Sequence, residues 1–176
     1  MNLMGIAEEA RKSRVILVSK RYGYRDDFIS IMQDIQRSGK RIGYITIKRS
    51  YDLISKEMLK NRIESGRFFF VDAITATLNV PPIVGNCIFV SSPSSLTELK
   101  VAFSSLFEEK NREIICFDSI SELLEYNEQY EVVKFIHGLI MITHTMNRKA
   151  VFIVREEDSG KLVKDVSMFA DKLINL

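Results

Sequence analysis

Ile114-Ile115-Cys116-Phe117-Asp118-Ser119 opens the stretch IICFDSISELLEYNEQYEVVKFIHGLIMITHTMN, residues 114–147, whose reading decides the fold. Four consecutive apolar residues run into an acid and a serine, and a long helical pattern follows. An unbroken apolar run suits a strand covered on both faces, which is the signature of a parallel sheet. The strand is expected over Glu113 to Asp118 and delivers its acid to the carboxyl edge of that sheet. Ser119 and Glu122 have capping-box spacing. Glu131 to Asn147 is expected to be the longest helix, with Val132, Phe135, Ile136, Leu139, Ile140 and Thr143 as its buried stripe.

The same alternation extends in both directions. Toward the N-terminus, strands are expected over Arg14 to Lys20, Arg41 to Lys48, Arg67 to Asp72 and Cys87 to Val90. Helices are expected over Leu3 to Lys12, Asp26 to Arg37, Tyr51 to Glu64 and from Ser94 or Ser95 to Lys110, the last with a Ser95–Glu98 capping box. Toward the C-terminus, Lys149 to Val154 reads as a strand and Gly160 to Phe169 as a helix. Lys172 to Leu176 fits either a helix or a final edge strand. Strands alternating with helices at this spacing give an α/β fold, a three-layer sandwich on a mostly parallel sheet. Residues 1–176 form one expected domain, with 1–12 as an N-terminal helical extension.

Composition narrows the function classes. The 176 residues are 46% hydrophobic and 27% charged, enough apolar material for a sizeable core. The formal net charge of +2 gives no global pull toward nucleic acid or membrane, so any basic partner surface has to be local. Two cysteines, Cys87 and Cys116, make no disulfide framework, and no apolar run approaches a membrane helix. The expectation is a soluble cytoplasmic protein with no membrane partner. The segment Ala73 to Asn86 contains Pro81-Pro82 and Gly85 and lies in a span without charge between Asp72 and Glu98. It reads as irregular, and its Ile74, Leu78, Val80, Ile83 and Val84 make it too apolar for a freely solvated loop. Either it folds onto its own domain or it meets a protein partner, a second copy included.

The order of VILVS, IGYITI, RFFFVDA, SSPSSLTELK, IICFDSISELL, KAVFIV and FADKLINL resembles the RecA superfamily, within it the KaiC-like and RadA-like archaeal ATPases. The resemblance covers most of the chain. It implies a RecA-like sheet, an archaeal source, edge-to-edge oligomers and a final strand at FADKLINL, akin to the family's "ADxVIxL". It also implies an ATP site, and there the chain departs. A phosphate loop reads G-x-x-x-x-G-K-[ST], whose glycines let backbone N–H groups wrap the phosphates. In register, Lys20 stands for the first glycine, Gly23 survives inside the loop, and Arg25 stands for the second glycine. Asp26 takes the place of the lysine and Asp27 that of the Mg²⁺-binding hydroxyl. Two carboxylates there repel a triphosphate. After the second strand, where the family carries catalytic glutamates, stand Lys48 and Arg49, and neither can orient an attacking water. The degenerate site is expected to be closed by ion pairs of Asp26 or Asp27 with Lys20, Arg25, Lys48 or Arg49.

With no catalytic residue, cofactor or metal implied, the leading reading is a non-catalytic binding or regulatory module. A second reading keeps the carboxyl edge as a ligand or anion site, with Lys20, Lys48, Arg49 and Arg155 facing Asp72 and Asp118, since open α/β sheets bind ligands there. Asp118 reads either as a Mg²⁺-water ligand or as a strand-end acid bonded to nearby backbone; Asp72 ends a strand at the same edge. A third reading is nucleic-acid binding through Lys12, Arg14, Lys20, Arg21 and Arg25, interleaved with Tyr22 and Tyr24. His137 and His144 lie two turns apart on one helix, about 10.5 Å along its axis, too far to share a metal.

Overall fold

The computed structural model describes residues 5–20, 25–155 and 160–176, with backbone alone over 25–27. The elements alternate: α1 (Ile6–Lys12), β1 (Val15–Lys20), α2 (Arg25–Gln36), β2 (Ile42–Thr46), α3 (Tyr51–Lys60), β3 (Phe68–Asp72), α4 (Thr75–Leu78), β4 (Cys87–Phe89), α5 (Leu96–Glu108), β5 (Ile114–Asp118), α6 (Gln129–Thr145), β6 (Lys149–Arg155), α7 (Gly160–Ser167) and β7 (Lys172–Asn175). The seven strands form one sheet in the order β4-β3-β2-β5-β6-β1-β7, and every pairing is parallel.

This order explains the layers. Connections from β1 to β2, β3 and β4 step one way across the sheet, and those from β4 to β5, β6 and β7 step back. Right-handed crossovers in opposite directions put their helices on opposite faces. Accordingly Ile16, Val18, Tyr44, Phe70 and Cys116 pack with residues of α1, α2 and α3. Leu17, Ile45, Val71, Phe117 and Phe152 pack with α5, α6 and α7. Successive strand residues alternate between the two cores. Gly43 is a required close approach: a Cβ there would stand 2.8 Å from Leu106 Cδ1. Two neighbouring strand pairs, β2/β5 and β6/β1, send their following helices to opposite faces, the arrangement at which open parallel sheets bind ligands on their carboxyl edge.

Several expected boundaries move. Helix α3 stops at Lys60 and does not reach Glu64. Arg62 adopts φ 56, and Ile63 N–H donates to the Met58 carbonyl, 3.0 Å. This is a Schellman ending made without glycine, with Ile63 and Met58 sharing one core. The 73–86 segment is irregular as expected apart from the single turn of α4. The long pattern after Asp118 divides into a 3₁₀ helix, Ile120–Glu125, and α6. Neither expected capping box forms. The Ser95 and Ser119 side chains cap nothing; Glu98 instead accepts from Ser91 N–H and Oγ, 3.0 and 2.6 Å, and Glu122 turns toward cations described below. Lys172–Asn175 is a strand, paired along β1. No helix among the described residues is long and apolar enough to cross a membrane.

Candidate functional site

Register fixes what meets at the carboxyl edge. Thr46 lies between Asp72 and Asp118, and Lys20 lies abreast of Arg155. Strand β6 separates β1 from β5, so Lys20 reaches across it: its Nζ is 3.5 Å from Asp118 Oδ1. From the face below, Tyr44 donates its hydroxyl to Asp118 Oδ2 at 2.6 Å. Tyr44 is 1% exposed. Burial first, and then the Asp118 charge, pushes its phenol well above the ordinary range. The strand-end acid is therefore held on both oxygens, one by an ammonium and one by a phenol. Its side chain and that of Lys20 are 13% and 16% exposed.

A second group sits beside it. Arg155 Nη2 is 3.6 Å from Glu122 and 3.5 Å from Glu125, and Lys48 Nζ is 3.9 Å from each. The Arg155 N–H donates to Ser121 Oγ, 2.9 Å, which ties β6 to the 3₁₀ turn. Burial and then the neighbouring Asp118 raise the Glu122 carboxyl, against the pull of Arg155, Lys48 and Lys20. Arg49 leaves in the opposite direction. It meets Glu57 at 2.8 Å and lies over the Phe28 ring at 4.5 Å, while Thr46 Oγ1 fastens its backbone on both sides.

Asp72 has a different occupation. Fully buried, it accepts from Tyr51 N–H at 2.7 Å, from Ile74 and Thr75 N–H at 2.8 and 2.9 Å, and from Thr75 Oγ1. It anchors the start of α3 and the turn into α4. Two strand spacings, about 10 Å, separate its strand from that of Asp118. Among the described residues no three His, Cys, Asp or Glu side chains form a group that could hold a metal ion.

Of the phosphate-loop positions, Lys20 ends β1 and Arg25 begins α2. Gly23 and the side chains of Arg25, Asp26 and Asp27 lie outside the described residues, and so does the expected pairing of those two acids. What the structure pairs with Lys20, Lys48 and Arg49 is another set: Asp118, Glu122, Glu125 and Glu57. Nor does the 12–25 basic cluster meet at one place. Lys12 and Arg14 precede β1 and Lys20 ends it, with about 20 Å of strand between Arg14 and Lys20; Arg21, Tyr22 and Tyr24 lie outside the described residues. His137 stacks on Phe169 at 4.4 Å. Burial pushes both thiols, Cys87 and Cys116, upward, away from reactivity.

Sequence reasoning missed Tyr44, Glu122 and Glu125 as members of the site. Tyr44 had one usable signal, a hydroxyl in an otherwise apolar strand run, since a buried phenol needs a partner. Glu122 and Glu125 share one face of a turn following Asp118, but their cations come from β2 and β6.

A family model described as a family of unknown function, DUF7504, matches residues 67–176. No curated protein matches the sequence. Among solved structures, a KaiC-like protein from the hyperthermophilic archaeon Pyrococcus horikoshii OT3 superposes with a TM-score of 0.65 at 14% identity, covering 93% of this chain and 70% of that one. At that identity the likeness is one of fold alone: a mostly parallel sheet flanked by helices, arranged as in that protein.

Proposed function

The chain belongs to DUF7504, a family of unknown function, and on that premise we propose a non-catalytic RecA/KaiC-like binding module whose former ligand edge is closed by its own charges. The observation that carries this reading is the Lys20–Asp118–Tyr44 group. Both Asp118 oxygens are already engaged, so a hydrated cation there has to compete with the Lys20 ammonium for the carboxylate and meets its positive charge. A phosphate approaching Lys20 has to compete with Asp118, and one approaching Lys48 meets the repelling charges of Glu122 and Glu125.

The test is thermal melting with Mg²⁺ alone, Mg-ATP, Mg-ADP and polyphosphate. A ligand at 100 times its Kd stabilises by about 2.7 kcal/mol, or roughly 5–10 °C for a chain of this size. No shift is expected, and a clear Mg-ATP shift refutes the reading. Binding then falls to surfaces away from this edge. Leu78 and Val80 are 73% and 93% exposed, and Ile83 is wholly exposed. Ile74 is half-buried and Val84 packs on the core, but the exposed tip formed by the other three supports contact with a protein partner or a second copy through 73–86. Mass in solution, with and without Leu78→Glu and Ile83→Glu, tests the self-association form; a wild-type monomer over the accessible concentration range rejects it.

A further inference from the structure

Charge is distributed unevenly between the two ends of the sheet. Taking the first residue of each strand with the three before it, basic residues are Lys12, Arg14, Lys40, Arg41, Arg67, Arg112, Arg148, Lys149 and Lys172. Within these windows Glu113 and Asp171 oppose the nine, a net +7 in a chain whose total is +2; just outside them, Glu64 pairs Arg67 at 2.7 Å. Every strand except β4 contributes at least one cation. In sheet order they run along β3-β2-β5-β6-β1-β7, six neighbouring strands spanning about 24 Å.

Both acids are engaged with backbone. Glu113 accepts from Arg41 N–H at 3.0 Å as well as facing Lys40 and Arg41; Asp171 accepts from Arg14 and Val15 N–H at 2.8 and 2.9 Å. The cations crowd one another. After burial, the neighbour that lowers Arg112 is Arg41, and those that lower Lys149 are Lys40 and Arg14. Such crowding opposes folding, and helix C-termini account only for cations in last turns, here Lys12 and Arg67, whereas the other seven lie between a helix and its strand or at a strand's first residue. Of the exposed large hydrophobic side chains, the strip holds Phe169, which stacks on His137. It therefore lacks free apolar anchors for a lipid surface and free rings on which unpaired bases would stack.

We propose that this amino-terminal edge, opposite the degenerate phosphate loop, is a docking strip for the phosphate backbone of double-stranded nucleic acid, read by charge and not by sequence. One strand of a duplex presents a phosphate every ~3.4 Å, about seven over the length of the strip.

The test is fluorescence anisotropy of labelled 20-base-pair DNA and RNA duplexes of mixed sequence, titrated with the full chain between 50 and 250 mM salt. Binding is expected with log K falling against log salt at a slope of about −4 to −6, equally for unrelated sequences; the stronger arm identifies which duplex is the partner. The triple variant Arg14→Gln, Arg148→Gln, Lys172→Gln is expected to lose at least tenfold in affinity and two to three units of slope, at about 0.9 per contact. A charge-matched variant, Lys56→Gln, Lys100→Gln, Lys134→Gln, is expected to bind like wild type. Arg14 and Lys172 are exposed, and Arg148 is half-buried with one 3.4 Å bond to Asn111, so the melting temperature should stay within about 2 °C. If the triple variant melts lower, the pair Arg14→Gln and Lys172→Gln carries the test with a slope loss of about two. No binding at 50 mM salt overturns the proposal. So does equal loss in the charge-matched variant, or tighter binding to phosphatidylglycerol vesicles or polyglutamate than to either duplex.

Discussion

Tyr44→Phe removes a single oxygen from the closed edge, and its cost can be worked from the geometry. The lost bond is 2.6 Å long, its acceptor is a carboxylate, and the donor is 1% exposed. A hydrogen bond to a charged group contributes about 1.5–3 kcal/mol. Asp118 keeps Lys20 and is 13% exposed, so water recovers part of the loss, and the lower part of that range, about 2 kcal/mol, is expected. For a chain of this length that is roughly 4–8 °C in Tm. Urea unfolding at pH 7 followed by circular dichroism measures it. The alkaline limb gives an independent check. The Tyr44 phenol is raised well above its ordinary 10.0, so its stabilisation is complete below pH 10 and is lost as pH climbs toward the folded value. The gap between wild type and Tyr44→Phe should therefore narrow above pH 10. A gap under about 0.5 kcal/mol at pH 7, or one that widens with alkali, refutes the view that Tyr44 holds Asp118 in place.

Three further expectations are simpler. The Glu122 carboxyl is raised, so its stabilisation is present below about pH 4.5 and fades as pH rises through the folded value; Glu122→Gln should gain on wild type between pH 4 and 7 in parallel urea titrations. Asp171 behaves oppositely: although burial works against ionisation, the N–H groups of Val15 and Arg14 outweigh it and lower the carboxyl. Asp171→Asn should cost about 1 kcal/mol at pH 7, a gap that closes as pH falls below 3.8 and through the folded value. Gly43→Ala forces a methyl to 2.8 Å from Leu106 and 3.1 Å from Ile115 and should lower stability by about 1–3 kcal/mol in the same assay.

The inner strands were legible because they are largely apolar runs buried on both faces, a burial that leaves no other use for such runs; the exposed β7, Lys-Leu-Ile-Asn, carried no such run and read equally as helix. The parallel sandwich follows from their spacing. What stayed hidden was long-range. Lys20 and Asp118 are 98 residues apart and meet only because β6 lies between their strands. Glu122 carried a capping-box signature, but the chain turns through a 3₁₀ helix and turns the carboxylate toward Lys48 and Arg155. Helix α3 ended early because Arg62 takes a conformation usually given to glycine, so its stop lacked the usual letter. The amino-edge strip was equally obscured: its cations sit singly or in pairs along the sequence and become a row only once strand order is known.

The strand order also bears on how the chain is made. Among the described residues, strand β1 pairs with β6 and β7 and with no other strand. On a ribosome adding about 5–20 residues per second, Val15–Lys20 waits roughly 6–26 s for residues 149–155 to follow. Throughout that interval a four-residue VILV run, apolar on both faces, has neither sheet neighbour. The earliest-made strand is thus the one that waits longest for its neighbours, and β6 has to enter between β5 and β1 before the sheet is continuous.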